Sequence, residues 1–225
     1  SALRSSVVSH AKSLGYEVSS PRAPIATVNV SLFTTASTKT MPAGTAFTTS
    51  VDGTSFQFVT VSDITSNSTG SSIPFDSINI YEGSYVTTRY TADTSDVDQR
   101  FLLSDARSDT TTLKVKVQNS ASDSTTTTYT KATDITQLSA SSTVYFLQET
   151  DSGLFEIYFG DGTVSRALSD GNIVILQYVV TNKTASNGAT VFGSPSSIDG
   201  VTGVTTTTVT SAIGGSESES IQSIK

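Results

Sequence analysis

The 225-residue chain has no cysteine, no tryptophan, one histidine and five prolines, and only 15% of its residues are charged. Without cysteine there is no disulfide framework, thiolate metal site or cysteine nucleophile. A single histidine, His10, cannot complete a closed nitrogen and sulfur zinc set. Nor do the many serines occur in the Gly-x-Ser-x-Gly turn that would present one to an imidazole. No apolar run reaches the ~20 residues of a membrane-spanning helix, and no charged-then-apolar signal peptide opens the chain. The formal charge of −7 repels phosphate backbones, and the 13 basic residues form no run, so neither nucleic acid nor membrane is expected as a partner.

What the chain does have is hydroxyl. Serine and threonine make up about a third of it, and threonine suits a sheet surface better than a helix. The runs Thr125–Thr128 and Thr205–Thr208 lack the proline of a glycosylated stalk and read as strand surface. The length allows one large or two small domains with a core of their own.

Leu3, Val7, Ala11 and Leu14 mark a short opening helix closed by Gly15, and Pro21 and Pro24 stop its continuation. From Ile25 the period becomes two, with Ala26, Val28, Val30 and Leu32 on one face. Met41-Pro42-Ala43-Gly44 is a turn, and Asp52-Gly53 joins a hairpin of Thr45–Val51 with Phe56–Val61. Phe75, Ile78 and Ile80 are expected to be answered by a strand carrying Tyr85, Val86 and Tyr90. Further strands are expected at Leu113–Gln118, Thr126–Lys131, Val144–Glu149 and Leu154–Phe159. A hairpin is expected over Phe155–Val164, turning at Gly160-Asp161-Gly162. Ile173–Val180, apolar on both faces, reads as a central strand. Asp134–Leu138 reads as a single helical turn capped by Thr133. Ser216 and Glu219 form a capping box for a helix starting near Ile221, which the chain does not finish. The sequence therefore reads as a piece of a longer polypeptide.

The expected fold class is mainly β: a short N-terminal helix, two sandwich-like β subdomains with the second inserted in the first, and the start of a C-terminal helix. The charge-rich segment Asp93–Asp109 and the break at Asn187-Gly188 suggest the borders. These assign 1–20 to the helix and linker, 21–90 plus 190–213 to the first β domain, 91–189 to the inserted domain, and 214–225 to the closing helix.

No constellation in the sequence supports catalysis, so the site expectation is none, whether catalytic, cofactor-binding or metal. Asp93, Asp96 and Asp98 miss the ligand spacing of a helical calcium loop and read as a solvated loop. Gly160-Asp161-Gly162 lacks the third glycine and the helix of a dinucleotide site. Glu149, Asp151 and Glu156 lie near one another and keep a glycosidase-type carboxylate pair open, with hairpin surface charges as the plainer reading. Asn29, Asn67 and Asn182 begin glycosylation sequons that so hydroxyl-rich a chain contains by chance.

The opening Ala2-Leu3-Arg4-Ser5-Ser6-Val7-Val8-Ser9-His10-Ala11-Lys12-Ser13-Leu14-Gly15-Tyr16, the Met41-Pro42-Ala43-Gly44-Thr45 turn followed by Phe47, and the closing Gly214-Gly215-Ser216-Glu217-Ser218-Glu219-Ser220 resemble baseplate wedge proteins of T4-like contractile-tail phages, in the baseplate J-like family. Between about Thr91 and Gly188 no family motif is matched, and that stretch reads as a lineage-specific insertion. The resemblance implies a non-enzymatic virion component of the tail baseplate, assembled in the host cytoplasm without a cofactor. Its implied partners are other wedge subunits and further copies of itself, joined as a dimer or ring mainly through parts outside this chain. It also implies a role in relaying the rearrangement that triggers sheath contraction. A rival reading is a carbohydrate- or receptor-binding β module of a tail fibre or adhesin, for which an exposed cluster of Tyr81, Tyr85 and Tyr90 would speak.

Overall fold

The computed structural model describes Ser6 and residues 16–224. The expected opening helix over Leu3–Leu14, its Gly15 cap and His10 lie outside the described residues, as does the side chain of Ile221. The fold is mainly β, with 14 strands among the described residues. The chain divides into two compact units, one from residues 1–20, 86–178 and 219–225 and the other from 21–85 and 179–218.

The second of these is organised around β1 (Ile25–Phe33), whose alternation buries Ala26, Val28, Val30 and Leu32 as the sequence period requires. β14 (Val204–Ile213) and β6 (Ser72–Glu82) flank it, both antiparallel. β4 (Thr54–Val59) and β3 (Ala46–Val51) extend the sheet to the order β14-β1-β6-β4-β3. In the β3–β4 hairpin Val51 faces Thr54. Asp52 and Gly53 between them have φ of 49° and 79°, the paired left-handed geometry that a two-residue loop demands.

A bulge in β6 accounts for its irregular apolar spacing. The register slips between Val28–Ile78 and Val30–Phe75, Ser77 takes φ 53°, and its amide donates to Asn29 Oδ1 at 2.8 Å. The extra residue shifts the phase, so Ile73 and Phe75 before it and Ile78 and Ile80 after it all reach the core. A two-stranded ribbon of β2 (Thr38–Met41) and β5 (Ile64–Asn67) adds Met41 and Ile64, and the segment 189–201 adds Ala189, Phe192 and Ile198. The Phe192 ring meets Phe58 edge-on at 4.9 Å.

The other unit holds one seven-stranded sheet in the order β7-β13-β9-β10-β11-β12-β8. The strands are β7 (Ser84–Thr91), β8 (Phe101–Leu103), β9 (Ser108–Gln118), β10 (Thr126–Lys131), β11 (Val144–Glu149), β12 (Phe155–Tyr158) and β13 (Ile173–Val180). β13 lies between two neighbours with five of its eight residues buried, as its two-sided apolarity requires. The sheet curls instead of stacking as a sandwich, because its outermost strands meet: the Tyr90 hydroxyl on β7 donates to the Leu102 carbonyl on β8 at 2.6 Å. An edge-to-face file of Tyr90, Phe101, Phe159 and Tyr129, with centroids 5.2–5.7 Å apart, runs through it.

Several expectations fail for physical reasons. β7 does not answer β6: Gly83, at φ 127°, turns the chain, and β7 pairs with β13 instead. The hairpin over Phe155–Val164 does not exist, because β12 is already paired on both sides, by β11 and β8. Gly160 is a glycine for closeness, since a Cβ there would lie 1.9 Å from Ser165 Oγ. Asp134, not Thr133, caps the turn Ile135–Gln137, accepting from the Thr136 amide. Glu219 is no capping-box member, for its carboxylate accepts from the Tyr16 hydroxyl and the Ser19 amide. The closing turn Ile221–Ile224 is capped by Ser220. β2, β5 and β8 are short and were not legible as strands.

Phe58 is fully buried against Phe192, so Phe58→Ala is expected to cost about 3–5 kcal/mol. Urea unfolding followed by circular dichroism checks the value.

Candidate functional site

The three carboxylates that kept hydrolysis open are separated by strand geometry. Glu149 pairs with Phe155 and Gln148 with Glu156 across β11 and β12. Successive side chains alternate, so Glu149 shares the buried face with Phe155 while Glu156 shares the opposite face with Gln148, whose amide donates to it at 2.6 Å. Asp151 sits exposed in the connecting turn. The arrangement does not bring any two of these three carboxylates to one face.

The acidic loop is organised by its own backbone. Asp93 accepts from the amide and hydroxyl of Ser95, and Asp96 from the amide of Asp98. The Ser95 hydroxyl, followed by its amide, holds Asp93 below the usual carboxylate range. Asp161 is lowered as well, by the Thr163 amide first and its hydroxyl second. Asp93, Asp96 and Asp161 rim an open cleft of about 370 Å³, floored by Phe101, Phe159 and Leu168. Among the described residues no three histidine, cysteine or acidic side chains converge as a metal site.

The sequon asparagines are structural. Asn29 supports the β6 bulge, Asn67 accepts from the Thr38 hydroxyl at 2.7 Å, and Asn182 donates to Glu82. Tyr81, Tyr85 and Tyr90 form no exposed cluster. The first two lie partly buried against Ala23, Val59 and Val179, and Tyr90 belongs to the other unit and spends its hydroxyl on Leu102.

The polar centre that the sequence reading missed is Glu82, which is fully buried. Its Oε2 accepts from the Thr181 hydroxyl and the Asn182 amide, and its Oε1 from the Asn182 side chain, each at 2.7 Å. Beside it, a Cβ on Gly83 would lie 2.2 Å from the Val180 carbonyl oxygen. The carboxylate thus clamps the chain at residue 82 to the chain at 181–182. Its signal was present in the sequence: two-residue alternation from Ile78 through Ile80 puts Glu82 on the core face, immediately before a glycine.

Residues 87–203 match the family of bacteriophage baseplate wedge protein gp6, third domain. The chain belongs to this family. The matched residues are more than half of its length. A search among curated proteins finds no match. This family is one of structural baseplate proteins and not of enzymes, and it gives the wedge domain a structural place in the virion tail baseplate. The match overturns one expectation: the stretch from Thr91 to Gly188 is not a lineage-specific insertion, for it lies inside the matched region.

Removing the clamp by Glu82→Ala strands the buried Thr181 hydroxyl. The expected cost is about 2–4 kcal/mol, from unmade buried hydrogen bonds, read from the urea midpoint. Burial, followed by the nearby Glu17 carboxylate, pushes the Tyr145 phenol up to about 12. Because this folded-state pKa is raised, its stabilising contribution is complete below about pH 10 and is lost as the pH rises through about 12. Tyrosinate absorbance should show a phenol titrating near pH 12 that is lost in Tyr145→Phe.

Proposed function

We propose that the chain is a rigid β scaffold of the tail baseplate wedge that docks neighbouring wedge proteins and helps relay the rearrangement that triggers sheath contraction. The observation that carries this reading is the family match across residues 87–203. The physical supports are a hydroxyl-rich surface of low charge, two units each with its own sheet, and carboxylates committed to turns and clamps. A part of this kind works by contact: interfaces between subunits repack while each β body keeps its fold. It requires no catalytic, cofactor or metal site, and its partners are proteins, with neither nucleic acid nor membrane among them.

In the same reading, residues 91–189 are a β domain inserted within the domain formed by 21–90 and 190–213. The antiparallel pairing of β1 with the distant β14 supports that organisation. Self-association into a dimer or ring resides mainly in parts of the protein outside these residues, and assembly takes place in the host cytoplasm before the particle is complete.

Residues 1–225 expressed alone are expected to give a soluble, β-rich monomer by analytical ultracentrifugation, whereas the complete protein self-associates and is recovered in purified tail baseplates. A stable dimer of residues 1–225 would move the main contact into this chain. Absence of the complete protein from baseplates would refute the structural role.

A further inference from the structure

β14 is the outer strand of its sheet, and its backbone is partly unclaimed. The Phe33 amide donates to the Gly203 carbonyl at 2.8 Å, and the register continues through Leu32–Val204, Val30–Thr206 and Asn29–Thr207. Bonded and non-bonded pairs alternate in an antiparallel ladder. Thr205 and Thr207 therefore turn their backbone groups toward β1, while Val204, Thr206 and Thr208 turn theirs outward. The Val204 amide is taken by the Thr202 carbonyl at 2.9 Å, and at the other end Ala212 is covered by bonds with Gly188 and Ala189 at 2.7 and 2.9 Å. Between these ends, the outward backbone groups of Thr206 and Thr208 meet no hydrogen-bond partner among the described residues. The Ser194 hydroxyl reaches only the Thr206 side chain.

Exposed edges are normally guarded, and the edges at β3, β7 and β8 are. β3 is covered where Gly193 donates to the Thr48 carbonyl and Thr49 to the Val191 carbonyl. β8 has three residues, and β7 carries Arg89. β14 has ten residues without a charge or a proline, and β1 beside it has no charge either. This edge also concentrates exposed apolar side chains: Val209 is 49% exposed, Ile213 69%, and Phe33 at the end of β1 63%.

We infer that the edge of β14 at Thr206–Thr208 receives a short, extended, uncharged segment of a different polypeptide, added to the sheet as a sixth strand. The inference rests on the docking role proposed above and names the surface that performs it. A second copy of the chain does not fit. Any two-fold pairing that uses Thr206 and Thr208 brings Ala212, with its covering Gly188 and Ala189, against the 200–204 stretch of the other copy at both ends. The open window accommodates a foreign segment of about five residues, at ~3.4 Å per residue, and is too short for its own twin.

Amide exchange at single-residue resolution tests this, comparing the complete protein free in solution with the complete protein in assembled baseplates. The Thr206 and Thr208 amides should exchange at least about tenfold more slowly in the particle, with Thr205 and Thr207 protected in both. Equal exchange in a particle that contains the protein overturns this inference and leaves the docking role standing, whereas a particle without the protein overturns the docking role itself. Protection that appears in the free chain as its concentration is raised would identify a second copy as the occupant and also overturn the inference. As a variant, Thr208→Pro removes an outward amide that the β1 ladder does not use. It should keep the circular dichroism of the wild type while incorporation into baseplates falls at least about tenfold, and undiminished incorporation counts against the proposal. The exchange measurement decides the matter without any variant.

Discussion

A buried carboxylate joining two distant stretches of chain is the constraint on which the discontinuous unit depends. Glu82 leaves water completely, at a cost of several kcal/mol for an isolated charge. Three donors from Thr181 and Asn182 at 2.7 Å offset it. None of these groups is useful alone: the carboxylate needs the donors, and the Thr181 hydroxyl becomes buried only because the chain returns beside β6. Gly83 sharpens the requirement, since any side chain there would collide with the Val180 carbonyl. The unit can therefore be completed only when residues 179–182 have come back, and with them β14, which closes β1 on its free side.

That dependence bears on what a wedge component must do. A domain assembled from sequence-distant pieces gains little stability from either piece separately, and its sheet is held by pairing that spans most of the chain. The seven-stranded unit solves its own closure differently, by a Tyr90–Leu102 hydrogen bond between its outer strands and an aromatic file inside. In both units polar chemistry is turned to holding backbone. Carboxylates cap turns, asparagines fill a bulge or complete a clamp, and threonines line strand faces. A protein organised this way suits a structural place in the baseplate, which is where its family lies.

The family signal and the motif signal lie in different places. The short segments that resemble wedge proteins are at the ends and in the first turn, where glycine and proline make local sequence distinctive. The matched region, 87–203, holds glycines too, but a single proline, Pro195. It consists of strands whose identity rests on which side chains alternate inward, and many residue combinations satisfy that requirement. A reading by motif consequently mistook family sequence for an insertion peculiar to one lineage.

Some elements were decided by local sequence because local physics suffices for them. β1 follows from the alternation of Ala26, Val28, Val30 and Leu32, the β3–β4 hairpin from the positive φ that Asp52-Gly53 tolerates, and β13 from apolarity on both faces. Others were settled only by tertiary structure. Gly160-Asp161-Gly162 has the composition of a hairpin turn, yet both edges of β12 are already taken by β11 and β8. Glu149 and Glu156 are close in sequence, yet strand alternation sends them to opposite faces. β14 is a threonine run whose place beside β1, and whose outward backbone, depend on a partner far away along the chain. Periodicity and turn chemistry are properties of a few consecutive residues and can be read from them. Strand partners, buried charges and open edges are set by whatever else reaches the same point in space, which a one-dimensional sequence does not state.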